Sequence, residues 1–139
     1  MSDKVRILVV DDEEVVRRGY VRTLAAERCS VEAVTNGEEA LQRMREQPFD
    51  VVLLDLRMPG MDGMTVLRHI KQQWPDSEVI IVTGFPALET AKESVSLGAY
   101  DYLAKPVGPD DILNATHAAM LHKRWALRTE TPARCAAAN

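Results

Sequence analysis

Five side chains of this 139-residue sequence are of types that together can handle a phosphoryl group: Asp11, Asp12, Asp55, Thr83 and Lys105. Asp55 ends the aliphatic run "DVVLLD" (50–55), a place where a carboxylate is costly to desolvate. Three carboxylates in one small volume repel each other, and at ~4 Å each pair costs on the order of 4 kcal/mol at an effective dielectric of 20. A bound hard cation relieves that repulsion, and oxygen donors with room left for water suit Mg²⁺. Such a cation also coordinates a phosphoryl oxygen. Lys105 adds a point charge and Thr83 a hydrogen-bond donor for the remaining oxygens. Asp55 is then free to be the nucleophile, as carboxylates are when they form aspartyl phosphates.

That chemistry needs all five residues at one place, so the elements that carry them matter. Short aliphatic runs alternate with longer amphipathic stretches. "VRILVV" (5–10), "SVEAV" (30–34), "DVVLLD" (50–55), "EVIIVT" (78–83) and "YDYLA" (100–104) read as strands. The central runs are apolar almost continuously, as in a parallel sheet covered by helices on both faces. Between them Val16, Tyr20 and Leu24 repeat every four residues, and Asn36 with Glu39 forms a helix-capping pattern ahead of Ala40, Leu41 and Met44. A third helix carries Val66, Leu67, Ile70 and Trp74 and stops before Pro75. A fourth is expected to begin at Pro86 and end at Gly98. The fifth follows "GPDD", with Ile112, Thr116 and Met120 on one stripe.

Five β-α units predict an α/β domain with a single parallel sheet and right-handed crossovers. Ligands of open parallel sheets sit beyond the carboxyl ends of the strands. Asp11-Asp12, Asp55, Thr83-Gly84 and Lys105-Pro106 occupy four of those ends. Three acids, a hydroxyl and an ammonium are therefore predicted to share one rim.

Composition bounds the partners. A net charge of −4 with no Lys/Arg cluster argues against direct nucleic-acid binding. No apolar stretch approaches the ~20 residues of a membrane span, and "MSDKVRILVVDD" has too short an apolar core for a secretory signal. The expected location is cytoplasmic. Cys29 reads as a small packed residue and Cys135 as a tail thiol, in no disulfide or metal spacing. From about Thr129, "TETPARCAAAN" loses its periodicity and reads as a tail or linker, although the fifth helix can run on through "HKRWALR".

Taken singly, each candidate also has a plain reading. Asp11-Asp12 suits a solvated helix N-terminus, where acids favour the dipole, and hydroxyls and lysines are common where loops begin. It is the joint occurrence at correlated strand ends that favours a site. Gly60 and Gly63 are expected to serve turn geometry, with Asp62 as a helix cap. His69, His117 and His122 read as structural or solvent-facing, and Trp74 and Trp125 as packing.

The segments "VVDDEE", "LLDLRMPGMDG", "VTGFP" and "YDYLAKP" together resemble the receiver domain of bacterial two-component response regulators. The resemblance covers about residues 4 to 122, leaving 123–139 as a helical extension and tail or linker. It implies a flavodoxin-like strand order of 2-1-3-4-5 and a phosphoacceptor at Asp55. It implies Asp12 as a direct Mg²⁺ ligand, Asp11 acting on the metal through water, and a metal contact from the backbone carbonyl of Arg57. It further implies Thr83 and Tyr102 as switch residues, Lys105 on the phosphoryl group, and a cis Lys105-Pro106 bond. The implied partner is a sensor histidine kinase or histidine phosphotransfer protein, with signalling through helix 4, strand 5 and helix 5, and homodimer formation on phosphorylation as one output. "VTGFPALETAKESVSLGAYDYLAKP" looks most like receivers of nitrogen-regulation-type activators.

Arg57 and Phe85 stand at the two positions that tune dephosphorylation in that family, and neither is the small amide or acid that helps place a water. Slow self-hydrolysis is the expectation. Two other classes compete with a receiver. A Mg²⁺-dependent phosphohydrolase would need a second carboxylate two residues after Asp55, where Arg57 stands. A binding-only pseudo-receiver would lack an acid or the lysine, and all are present.

Overall fold

Strands form where the aliphatic runs lie, and their side chains alternate between two apolar layers. The structure, a computed structural model, describes the backbone of residues 4–136 and the side chains of residues 4–123. Five strands, β1 (Arg6–Val10), β2 (Ser30–Val34), β3 (Val51–Leu54), β4 (Glu78–Thr83) and β5 (Asp101–Ala104), alternate with five helices. The helices are α1 (Glu14–Ala25), α2 (Gly37–Glu46), α3 (Gly63–Gln73), α4 (Leu88–Ser96) and α5 (Pro109–Ala136). All strand pairs are parallel, in the order β2-β1-β3-β4-β5.

Period-two alternation divides the core. Leu8 and Val10, Val52 and Leu54, Val79 and Ile81 face the layer shared with Leu41, Met44, Val66, Leu67 and Ile70 of α2 and α3. Ile7 and Val9, Val51 and Leu53, Ile80 and Val82 face Tyr20 and Leu24 of α1 and Ile112, Ala115 and Ala119 of α5. The central strands are buried on both faces, which is why their sequences lack polar alternation.

The caps follow local chemistry. Asn36 accepts from the Glu39 N–H at 2.9 Å while Glu39 accepts from the Thr35 N–H at 2.9 Å. That second bond holds the Glu39 carboxyl below its usual range. Asp62 caps α3 through the Thr65 N–H at 2.9 Å. Gly98 takes φ +105° just past α4, the left-handed geometry that glycine adopts without strain. Thr116, on the predicted stripe of α5, is buried and donates its hydroxyl to the Ile112 carbonyl at 2.9 Å.

Three expectations are corrected. Helix α4 begins at Leu88, not Pro86, because Ala87 is extended (φ −150°, ψ 147°) and its N–H donates to the Tyr102 hydroxyl at 3.2 Å. Helix α5 continues past Thr129 to Ala136, through Pro132 and against that residue's propensity, because losing the apolar period ends the amphipathic pattern without ending the helix. The side chains of Trp125 and Cys135, and residues 137–139 altogether, lie outside the described part. Gly63 serves a close approach, not a turn. A Cβ there would stand 2.4 Å from the Asp55 carbonyl oxygen and 2.6 Å from the Leu56 Cα. Gly60, by contrast, has φ +79° and does serve the turn.

That approach seats the start of α3 directly against the end of β3. Gly63→Ala is expected to lower stability by about 1–2 kcal/mol, since backbone must shift and the gain in helix propensity offsets only part of the strain. Urea unfolding measures this, and an unchanged midpoint would refute the close-packing account.

Candidate functional site

Sheet register sets the acids beside each other. Val10 pairs with Leu54, and the Asp55 N–H donates to the Val10 carbonyl at 3.0 Å. Asp11 and Asp55 therefore leave adjacent central strands at the same level. Thr83 pairs with Ala104, and the Lys105 N–H donates to the Thr83 carbonyl at 2.8 Å, which brings the lysine to the same rim. The Lys105-Pro106 bond is cis.

Asp11 and Asp55 are 2% and 5% exposed, a depth at which a carboxylate needs hydrogen-bonding or charged partners. Those partners are present. Lys105 Nζ donates to Asp11 Oδ2 at 2.8 Å and to Asp55 Oδ2 at 3.4 Å. Asp11 Oδ1 accepts from the Glu13 N–H at 2.9 Å, and Asp55 Oδ1 from the Arg57 N–H at 3.2 Å. Burial pushes the Asp55 carboxyl above the ordinary carboxylate range, and the Asp11 charge adds to this. The Arg57 N–H and the Lys105 ammonium oppose the shift without cancelling it. Burial works against the charge on Lys105, but its bond to Asp11 and the Asp55 charge hold it above its ordinary value.

Asp11, Asp12 and Asp55 each place one carboxylate oxygen within 4.8 Å of the others. Asp12 is exposed, so that flank of the trio is open to water. An all-oxygen, partly wet donor set of this kind fits Mg²⁺ and fits neither a thiophilic metal nor a closed structural zinc site.

The other candidates lie within or just after β3, β4 and β5. Thr83 is fully buried, and its Oγ1 accepts from the Phe85 N–H at 3.1 Å. Tyr102 is half-buried, with its hydroxyl 2.6 Å from Thr90 Oγ1. Arg57 is exposed, and its guanidinium stacks over the Phe85 ring with Cζ 4.0 Å from the centroid. A cleft of about 460 Å³ runs past Thr83, Arg57, Phe85 and Thr90.

Three participants went unread in the sequence. Glu13 Oε1 accepts from Lys105 Nζ at 3.2 Å. Thr90 holds the Tyr102 hydroxyl, and Tyr20 lies near enough that burial, helped by Asp11 and Asp55, raises its phenol to about 12. Glu13 adjoins the acid pair, which is a signal of sorts. Thr90 and Tyr20 gave none, because an ordinary helix residue and an apolar-stripe tyrosine look the same without the fold.

Comparison with known proteins gives the same outline. Residues 7–117 match the response regulator receiver domain. The transcriptional regulatory protein ZraR of Escherichia coli is 38% identical over 138 residues, spanning 94% of this chain and 30% of ZraR. The DNA-binding transcriptional regulator NtrC of Escherichia coli is 38% identical over 116 residues, spanning 84% of this chain and 25% of NtrC. This chain thus spans less than a third of the curated relatives it matches. A CheY-like receiver domain from Methanospirillum hungatei superposes with a TM-score of 0.87 at 29% identity, covering 89% of this chain and 99% of that one. NtrX from Brucella abortus gives 0.86 at 28% identity, covering 91% of this chain and 30% of that one. The chain belongs to the response regulator receiver domain family.

Proposed function

We propose that this receiver accepts a phosphoryl group on Asp55 from the phosphohistidine of a sensor histidine kinase or histidine phosphotransfer protein. The observation that carries the reading is the acid trio within 4.8 Å, bridged by Lys105. A carboxylate oxygen of Asp55 forms the new P–O bond as the P–N bond to the donor imidazole breaks and the imidazole departs. Asp11, Asp12, Asp55 and the Arg57 carbonyl would hold Mg²⁺. When bound, that ion neutralises the acids and a phosphoryl oxygen together.

The chain's own groups do the rest. Lys105 already touches Asp55 and needs only a small movement to meet a phosphoryl oxygen there. The Thr83 hydroxyl is free to donate, because in this structure it accepts, from Phe85. Turning it toward a phosphoryl group strains its hold on the loop after β4. Tyr102, bonded to Ala87 and Thr90 on the far side of that loop, responds to the shift. The face of α4, β5 and α5 then carries the signal, by biasing a two-state equilibrium. On this reading the chain acts only on its own Asp55, with homodimer formation as one output. Among the described residues, no helix is long and apolar enough to cross a membrane, and the reading places the chain in the cytoplasm.

Asp55→Asn is expected to abolish labelling by acetyl phosphate in Mg²⁺ while the fold, followed by circular dichroism, stays intact. The same variant should be more stable than wild type at pH 7 without metal. The sign follows from the raised Asp55 carboxyl: its contribution to stability is present below the ordinary carboxylate range and is lost as pH rises through the higher, folded value. Urea melts across pH should show that loss in wild type and not in the variant. Persistent labelling of the variant would sink the assignment of Asp55.

The Arg57–Phe85 stack puts a cation and an aromatic ring where a water-positioning amide or acid would help hydrolysis. The phosphorylated form is expected to outlast the scale of seconds, measured as phosphate release in Mg²⁺. Complete release within seconds would contradict this.

A further inference from the structure

At the opposite edge of the sheet, beyond the amino ends of the strands, lies a second cluster of charged side chains that takes no part in the site. Glu78, the first residue of β4, is only 7% exposed, an unusual burial for a carboxylate. Its Oε2 lies 2.7 Å from His122 Nδ1 on α5. Next along the helix, Lys123 Nζ donates to Asp50 Oδ1 at 2.7 Å, and Asp50 Oδ2 accepts from the Arg6 N–H at 2.8 Å. The His122 ring also lies 5.1 Å from the Tyr100 ring, just before β5. Lys71, whose charge also acts on this corner, donates to the carbonyls of Pro75 and Ser77 and does not bond Glu78.

Apolar packing thins along α5, where Met120 packs against the core only in part. Ala119 is the last α5 residue buried in the core among the described side chains, yet the helix runs on to Ala136. At positions 122 and 123, the contacts of α5 with the sheet are made by polar groups. We propose that His122 and Lys123 form a clasp that locks α5 to the starts of β3 and β4. The clasp fixes the direction in which the helical arm leaves the sheet. Isolated exposed ion pairs contribute little. This pair is different in kind: consecutive residues grip two acids of adjacent central strands, and one of those acids is buried. The clasp is independent of the phosphoacceptor reading and survives if that reading fails.

Hydrogen exchange on the full chain tests it. His122→Phe keeps a ring against Tyr100 and removes the hydrogen bond to Glu78, and Lys123→Met keeps the apolar stem and removes the charge. Each should speed exchange of α5 amides beyond Ala119 by about tenfold, leaving β1, β3 and β4 protected. Lys123→Met alters a side chain near the surface and keeps the test available should His122→Phe fold poorly. Glu14→Gln, which breaks the exposed pair with Arg18, should change nothing in α5. Unchanged α5 exchange in both clasp variants, or an equal loss across the central strands, would overturn the clasp.

Discussion

Two buried carboxylates on neighbouring strands repel each other at close range, and the Lys105 ammonium set between them offsets that repulsion. That ammonium reaches Asp11 at 2.8 Å and Asp55 at 3.4 Å, from a strand two places along the sheet from β3. Much of the architecture serves that bridge. Register puts the acids side by side, Gly63 lets α3 close over the end of β3, and the bond from Lys105 to the Thr83 carbonyl ties the lysine's backbone to β4. Negative charge is in excess there, with Lys105 set among Asp11, Asp12, Glu13 and Asp55. Asp55 is held above the ordinary carboxylate range by burial, and so gains from any positive charge that arrives.

The loop after β4 is the natural place for a change at Asp55 to become a change of shape. It is held from three sides by contacts of moderate strength: the Thr83 hydroxyl on the Phe85 N–H, the Tyr102 hydroxyl on the Ala87 N–H, and the Arg57 guanidinium on the Phe85 ring. Each is worth on the order of 1 kcal/mol. On the phosphoacceptor reading, a charge-assisted bond donated by Thr83 to a phosphoryl oxygen is stronger than any of these neutral contacts. The balance can therefore tip without disturbing the core, whose central strands are buried on both faces.

How much of this was legible in the sequence depends on how each feature is encoded. Strand positions and a sheet covered on both faces were, because continuous aliphatic runs between amphipathic stretches have few other solutions. That Asp11, Asp55 and Lys105 meet was legible because each follows such a run, and the rule that ligands gather at strand carboxyl ends converts position into proximity. Arg57 over Phe85 was not, since a cation stacking on a ring across two loops leaves no mark in spacing. Glu78 with His122 was missed for a related reason: forty-four residues separate them, and only the docking of α5 brings them together. The start of α4 misled because proline favours a first helical turn, while here Tyr102 holds Ala87 extended. The reach of α5 was underestimated because apolar periodicity reports an amphipathic face, and a helix can outrun that pattern, here even through Pro132.

The most direct test of the central claim is a Mg²⁺ titration of the metal-free protein, followed by the backbone amide resonances of residues 11 to 13 and 55 to 57. The account predicts saturable shifts in both segments with a single affinity, strongly weakened together by Asp12→Asn. Separate affinities for the two segments, or shifts indifferent to that substitution, would show that the acids do not share one ion and would contradict it.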